Sequence, residues 1–324
     1  MRAAIAVWVL MGLSVCRAQP AAADVPALIE ALRDPDTNVR FRAAYALGEI
    51  KDRRAAPALL QALRDPEWPV RDQAAWALRE LHDPELVPKL EAMLKEKGAD
   101  VKHIEWILGR THVEVQRQEP LAAHWSFDDQ NPKVAKDSVG GTDGQINGCT
   151  PVSGKVGHAL KFTKGAYVEL GKPEWLPVMG VPFTVMAWAK SDAKNGVIVA
   201  RGGAFCGYSL YIKDGVAKFG IHRVQDGPTY IAAGREGVAG EWVHLAGVVK
   251  EDRIELFVNG KLAATAKTDG YLPSNTGQGL EIGFDVANSA AEITDAFEGV
   301  IDEVKFYRVA LPEEEIAKQC RQTE

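Results

Sequence analysis

A repeat with a period of 31 residues is the sequence feature that most constrains the fold. Residues 26–32 recur as residues 57–63 and, more loosely, as residues 88–94, each time with a proline in first place. A fixed period of this size is typical of stacked two-helix units that bury a continuous core between neighbours. The proline suits a helix start, and an Asp-Pro turn separates the two helices. We therefore predict an all-α helical repeat array over residues 24–112.

Charged residues recur with the same period. Asp34 and Arg40 of the first unit correspond to Asp65 and Arg71 of the second. These residues either form a network that ties each turn to its helix and supports stacking, or they present a charged ladder to a ligand. Trp68 has no counterpart in the first unit. It is either a contact residue for a partner or a packed turn residue.

The pattern L-x-D-x-x-x-x-V-R-x-x-A-A-x-A-L occupies residues 32–47 and 63–78. It resembles the HEAT-like repeats of the phycobilin-lyase type. The resemblance implies a general protein-binding scaffold and specifies no activity. The third unit departs from the pattern at residues 95–98, as expected of a capping repeat. Because two or three units barely reach the number needed for stability, we expect the array to depend on its neighbour or on a partner protein.

The N-terminal residues 1–18 have the pattern of a secretory signal peptide. Arg2 is followed by an apolar run of about 11 residues and a small-residue exit before Gln19. Spanning a membrane needs about 20 apolar residues, so this run is too short to be an anchor. A lipoprotein anchored through Cys16 is the less favoured alternative. We expect a secreted or periplasmic protein with no membrane span.

Cysteine content and charge restrict the possible partners further. Export would leave Cys149, Cys206 and Cys320, so one disulfide such as Cys149–Cys206 and one free thiol are possible, and the sequence does not fix the pairing. The chain carries 38 Lys+Arg against 44 Asp+Glu, a formal net charge of -6. This balance argues against a nucleic-acid partner, which would require a basic surface.

Short strand-like runs replace the helical pattern after a predicted linker at residues 113–120. Gly, Asp and Asn turns separate the runs, and Asn259-Gly260 lies between two of them as a two-residue hairpin signal. We predict an all-β antiparallel jelly-roll sandwich over residues 121–320. The predicted strands are residues 122–128, 158–162, 167–170, 183–190, 197–201, 208–213, 217–222, 242–249, 253–258, 261–266, 280–284 and 299–307.

The order of several sequence blocks in this half resembles a LamG-like, concanavalin A-like lectin-glucanase jelly roll. The resemblance implies a binding or adhesion module that recognises a glycan or a cell-surface protein. The blocks are residues 124–129 (HWSFDD), 154–162 (GKVGHALKF), 183–188 (FTVMAW), 242–248 (WVHLAGV), 256–261 (LFVNGK), 297–307 (FEGVIDEVKFY) and 311–316 (LPEEEI).

Most aromatic residues of these blocks are predicted to lie in the core. Trp125, Phe127, Trp188 and Trp242 alternate with polar neighbours, as core side chains of a strand do.

Asp302 is expected on the buried side of its strand, because it shares strand parity with Val300, Val304 and Phe306. A buried carboxylate requires hydrogen bonds or a cation. Asp302 is therefore predicted either to accept hydrogen bonds from backbone amides or to bind calcium together with Asp128 or Asp129. These three aspartates form the candidate calcium site.

Two loops, at residues 202–208 and 222–230, are the candidate ligand site. Tyr208, Arg223, Asp226 and Tyr230 offer the aromatic and polar groups that sugar recognition uses. The alternative is that these are ordinary polar, glycine-rich loops.

Motifs for catalysis are absent from the sequence. A retaining glycosidase needs two carboxylates about 5–5.5 Å apart, whereas Glu298 and Asp302 would lie about 13–14 Å apart along an ideal strand. The favoured hypothesis is an exported, non-catalytic binding protein whose jelly roll recognises a glycan or an extracellular protein. In one alternative, the helical repeats bind the partner protein and the jelly roll is only structural. The other is an unrecognised glycoside hydrolase.

Overall fold

The computed structural model describes residues 25–96, 100–108, 120–129, 131–173, 180–202, 207–223, 228–238, 240–272, 279–285 and 296–321. The chain divides into two compact units, Met1–Gln118 and Glu119–Glu324, and this division falls inside the segment predicted as a linker. The predicted signal peptide, Cys206 and Asp226 lie outside the described residues.

The first unit is built from pairs of helices, as the repeat predicts. Asp36 caps the second helix, because its carboxylate accepts a hydrogen bond from the Asn38 amide at 2.8 Å. Pro57 and Pro69 lie in first helical turns, where no amide donor is required. The helices are α1 (Val25–Ala31), α2 (Thr37–Ile50), α3 (Ala56–Ala62), α4 (Trp68–Glu80), α5 (Leu86–Met93) and α6 (Val101–Ile107), with a 3₁₀ turn at Arg53–Ala55.

The periodic arginines tie consecutive repeats together. Arg40 donates to two carbonyls of its own turn, one of them Asp34 O at 3.0 Å, and pairs with the Asp65 carboxylate of the next unit at 2.7 Å. Arg71 does the same with Asp65 O at 2.8 Å and with the Asp100 carboxylate at 3.2 Å. These contacts support the interpretation as a structural network. The network also links neighbouring units, whereas the prediction placed it within one unit.

The second unit is a sandwich of two antiparallel sheets, which confirms the predicted fold class. Its strands are β1 (Leu121–Trp125), β2 (Val134–Ala135), β3 (Gly144–Asn147), β4 (Thr150–Ser153), β5 (His158–Phe162), β6 (Tyr167–Glu169), β7 (Phe183–Ser191), β8 (Gly196–Gly202), β9 (Gly207–Lys213), β10 (Val216–His222), β11 (Thr229–Gly237), β12 (Trp242–Val249), β13 (Arg253–Val258), β14 (Lys261–Lys267), β15 (Leu280–Ile282) and β16 (Gly299–Tyr307).

The two sheets enclose one hydrophobic core. Sheet 1 has the order β14-β13-β12-β7-β16-β5-β4, with β1 also paired to β16, and sheet 2 has the order β11-β10-β9-β8-β15-β6-β3-β2. Trp125 and Phe127 are buried in the core between the sheets, as predicted. On its outer side, sheet 1 is covered by a C-terminal helix, α7 (Glu313–Arg321), whose Ile316 packs with Met186 of β7.

The hairpin predicted at Asn259-Gly260 joins β13 to β14. Both residues have positive φ, 48° and 76°, as a type I′ turn requires, and Val258 pairs with Lys261 across it. Four strands, β2, β3, β4 and β11, were not predicted, because they are short or lie in segments rich in turn residues.

A bulge in β16 corrects the predicted orientation of Asp302. The register against β7 shifts between Asp302 and Lys305, and Glu303 has a φ of 51°. Ile301 and Val304 both belong to the core between the sheets, so Asp302 does not share their face. The predicted shared face is wrong, because the bulge adds a residue between Asp302 and the core positions that follow.

Candidate functional site

Tyr208 does not present its ring to a ligand. It is fully buried in the core, with its ring centroid 4.8 Å from that of Phe183 and 6.3 Å from that of Phe306. Burial raises the pKa of its hydroxyl well above the usual range. The prediction that Tyr208 belongs to a ligand site is corrected, because the alternation of β9 turns this residue inward.

Arg223 and Tyr230 are brought together, and each also bonds to the segment that contains Asp269 and Tyr271. Arg223 is buried and donates from Nε to the Tyr271 carbonyl at 2.9 Å. Tyr230 lies on β11 and donates its hydroxyl to Asp269 at 2.5 Å. Burial, and then the Asp269 hydrogen bond, raise the pKa of Tyr230. We call Arg223, Tyr230, Asp269 and Tyr271 the tyrosine–arginine cluster. Its bonds join β10 and β11 to the segment that contains Asp269 and Tyr271.

Asp302 and Asp128 both hold the turn at residues 154–158. Asp302 Oδ2 accepts from the Val156 amide at 3.0 Å, and Asp128 Oδ1 accepts from the His158 amide at 2.8 Å. Gly154 is required at this turn, because a Cβ there would lie 2.6 Å from Asp302 Oδ2. Hydrogen bonding to backbone amides thus accounts for one oxygen of each carboxylate.

The candidate calcium site is not assembled as a triad. Asp129 Oδ1 accepts from the Asn131 amide at 3.3 Å, within its own loop. Across the described ranges, no group of three or more His, Cys, Asp and Glu side chains is placed to hold a metal ion. Calcium binding by Asp128, Asp129 and Asp302 stays the untested alternative to backbone hydrogen bonding, and thermal unfolding with added calcium tests it.

A cleft of about 330 Å³ opens on the outer side of sheet 1, between residues 154–158, the β13–β14 turn and α7. Trp242, a predicted core residue, is only half-buried here, which corrects that prediction. Trp188 is buried as predicted, but at the base of this cleft rather than between the sheets. We call this site the tryptophan cleft. It is lined by Lys155, Trp188, Trp242, Asn259, Gly260, Lys261, Ala317, Cys320 and Arg321.

Three neighbouring strands form the floor of the tryptophan cleft. Trp188 pairs in register with His244 on one side and with Asp302 on the other. The His244 ring meets Trp188 edge-on at 5.4 Å, and the Lys155 ammonium lies 4.8 Å from the centroid of the Trp188 ring. Since the backbone of Val156 bonds to Asp302, this carboxylate fixes the turn that carries Lys155.

Burial controls the ionisation of this floor. It raises the pKa of Asp302 to about 7, and the carboxylate of Glu303 adds to the shift. It also lowers the pKa of His244 to about 4, with a further contribution from Lys305, so the imidazole is neutral at pH 7. Near neutral pH, His244 is therefore uncharged, whereas Asp302 lies close to the midpoint of its titration.

The pKa of Glu303, next to Asp302 in β16, is lowered rather than raised. Burial alone would raise its pKa, but hydrogen bonds from His124 at 3.0 Å and from Lys305 outweigh burial and hold the pKa at about 2. Neighbouring carboxylates with divergent pKa values can act as a catalytic pair. Here Asp302 is fully enclosed, and the Glu303 carboxylate is engaged by His124 and Lys305, so neither is free to meet a substrate.

A second cleft, of about 440 Å³, lies on the other side of the β13–β14 turn, next to Gly234 and Arg235 of β11. Its described lining includes no aromatic ring and combines Arg235 and Lys261 with Glu236. The tryptophan cleft is the better candidate, because ligand sites combine aromatic surface with a few converging polar groups.

Strand alternation alone separates the residues of the tryptophan cleft from the core residues of the same strands. Val243 and Leu245 of β12 face the core, so Trp242 and His244 must face outward. In β7 the same alternation places Ala187 in the core and Trp188 on the outer face. Alternation with polar neighbours alone does not tell the inner face of a strand from the outer face, and the parity of Val243 and Leu245 is the signal that does.

Family comparison agrees with this architecture. HEAT repeats match residues 25–109, and the concanavalin A-like lectin/glucanases superfamily matches residues 162–317. The chain therefore contains HEAT repeats followed by a concanavalin A-like domain. Comparison with curated proteins found no match. In the part of the chain that the structure describes, no helix has the length and apolar character needed to cross a bilayer.

Solved structures share the sandwich fold at low sequence identity. The binding domain of Paraclostridial Mosquitocidal Protein 1 has a TM-score of 0.52 and 13% identity, covering 63% of this chain and 52% of that chain. Domain 4 of AbnA, a GH43 extracellular arabinanase from Geobacillus stearothermophilus in complex with arabinotriose, has a TM-score of 0.49 and 21% identity, covering 62% and 98%. This chain thus spans about half of the mosquitocidal structure.

Proposed function

We propose that this protein is a non-catalytic binding protein whose sandwich holds a saccharide in the tryptophan cleft. The observation that carries the proposal is the half-buried Trp242 beside Trp188, with polar groups around it. Sugar rings stack their C–H faces on indoles, while their hydroxyls bond to nearby polar side chains. The lectin/glucanase superfamily match and the likeness to a toxin binding domain support a binding role. An extracellular protein surface is the alternative ligand.

The enclosure of Asp302 supports binding without catalysis. Hydrolysis of a glycoside needs an acid and a base or nucleophile on either side of the scissile bond. Asp302 is enclosed beneath the turn at residues 154–158 whereas Glu298 is exposed, so the two carboxylates do not flank one accessible site. Release of reducing ends that Glu298→Gln or Asp302→Asn abolishes would establish the hydrolase alternative instead.

We also propose that the protein is exported through its N-terminal signal and that the helical unit serves as a scaffold for a partner protein. The arginine ties between repeats support the scaffold role, because they hold a preformed surface in place. Trp68, half-buried at the start of α4, is the contact residue we favour on this unit. If the sandwich binds no ligand, partner binding by this scaffold is the remaining function.

A glycan array probed with the full chain tests the proposal. We expect saccharide hits for the wild type, loss of those hits for Trp242→Ala, and retention for Trp68→Ala, which removes a half-buried tryptophan from the other unit. Thermal unfolding of each variant controls for loss of structure. Absence of any hit, together with capture of a protein that Trp68→Ala fails to retain, would favour the scaffold alternative.

A further inference from the structure

The lining of the tryptophan cleft has an unusual charge balance. Lys155, Lys261 and Arg321 contribute three cationic groups, and its described lining residues include no Asp or Glu. The whole chain has the opposite balance, with 44 acidic against 38 basic residues. Positive charge is therefore concentrated at this cleft against an acidic background.

The three cations are available to a ligand. Within the described residues, none of them forms an ion pair with a carboxylate, and Lys261 and Arg321 are exposed. Lys155 is held over the Trp188 ring, which leaves its remaining donors for an acceptor outside the protein. Three carboxylates lie near the cleft, and none of them pairs with its cations. Glu303 pairs with Lys305 and His124, Asp302 accepts a backbone hydrogen bond, and Glu313 accepts one from the Leu262 amide at 3.4 Å.

Aromatic and cationic groups converge on the same volume. The Trp242 indole offers a stacking surface, while the three cations surround it from residues 154–158, the β13–β14 turn and α7. A neutral sugar would use the indole but leave the cations with water as their partner. A sugar with a carboxylate or sulfate would use both, through charge-assisted hydrogen bonds that are roughly twice as strong as neutral ones.

We propose that the tryptophan cleft selects acidic saccharides, with Lys155, Lys261 and Arg321 pairing with the carboxylate or sulfate groups. This selection rests on the proposed saccharide-binding function and names the chemical class of its ligand. Carboxylated and sulfated sugars share the required chemistry, so both are included as arms of the test.

The test uses the full chain and matched pairs of probes. Trigalacturonate is compared with its neutral methyl ester, and a sulfated galactose trimer with the unsulfated trimer, by isothermal titration calorimetry at low and physiological salt. We expect at least one acidic probe to bind about tenfold more tightly than its neutral counterpart, with a preference that falls as salt rises. The acidic probe that binds with the lower Kd shows whether the cleft prefers carboxylate or sulfate groups.

Variants separate charge selection from binding itself. The double variant Lys261→Gln/Arg321→Gln should reduce the acidic preference about tenfold, whereas Lys267→Gln, which removes an exposed lysine outside the cleft, should leave it unchanged. Trp242→Ala should weaken acidic and neutral probes alike. Equal affinity for acidic and neutral probes, both lost in Trp242→Ala, would overturn charge selection and leave the binding function standing. If no probe binds and the glycan array gives no hit, both charge selection and the saccharide-binding function are overturned.

Discussion

The tyrosine–arginine cluster and the tryptophan cleft both combine aromatic rings with cationic side chains, but they use the cations differently. Arg223 is 3% exposed and is bonded to the Tyr271 carbonyl within the fold. Lys261 and Arg321 are exposed at the cleft and form no ion pair with a carboxylate among the described residues. The comparison teaches that residue types alone do not identify a ligand site. What matters is whether the fold has already satisfied their polar atoms.

The largest effect that separates these regions is expected from Arg223→Ala. The change removes a buried, hydrogen-bonded cation and should lower the free energy of unfolding by about 3 kcal/mol, measured by urea denaturation. Arg235→Ala, at an exposed position of the neighbouring strand β11, should cost no more than about 0.5 kcal/mol. Similar losses for the two variants would show that Arg223 is not a structural anchor.

A pH dependence on the order of a few kcal/mol is expected from Asp302 at the cleft floor. Its folded pKa of about 7 exceeds the unfolded value of 3.8, so the folded state binds the proton more tightly. Stability from this group is therefore full at pH below 3.8 and declines as pH rises to about 7.

Asp302→Asn should flatten this decline in urea-unfolding curves collected between pH 4 and 8. Asp128→Asn, which alters the other carboxylate that holds the turn at residues 154–158, should retain the wild-type decline. Parallel pH profiles for the wild type and Asp302→Asn would contradict the assignment of the decline to Asp302.

The smallest effect concerns calcium. Because Asp302 and Asp128 already accept backbone hydrogen bonds, millimolar calcium should leave the Tm of the wild type and of Asp302→Asn unmoved. A calcium-dependent rise in the Tm of the wild type that Asp302→Asn lacks would establish the site predicted at Asp128, Asp129 and Asp302.

Strong local periodicity made the fold predictable from the sequence. The 31-residue repeat specified the helix pairs, and the Asn259-Gly260 turn specified its hairpin, because each depends on neighbouring residues. Strand β11 was missed, since Thr229–Gly237 has the glycine and charged content of a loop and is held by pairing with β10. Such a strand depends on tertiary context, which overrides local propensity.

The candidate site was less predictable for a related reason. The cleft residues come from distant segments, Lys155 on one turn, Trp242 on β12 and Arg321 on α7, and only the fold brings them together. The orientation of Asp302 depended on a bulge at Glu303 that no local motif announces. The parity of residues along β12 could have predicted that Trp242 faces outward. The cations around it share no pattern in the sequence.

The most direct test compares Trp242→Ala with Tyr230→Phe in their affinity for the saccharide that the array identifies. Tyr230→Phe removes only the hydroxyl bonded to Asp269 and should lower stability by about 1 kcal/mol. If the tryptophan cleft is the binding site, Trp242→Ala should raise Kd by about tenfold or more, a loss of about 1.4 kcal/mol, while Tyr230→Phe leaves Kd unchanged. A rise in Kd confined to Tyr230→Phe would contradict the account and return the site to the tyrosine–arginine cluster.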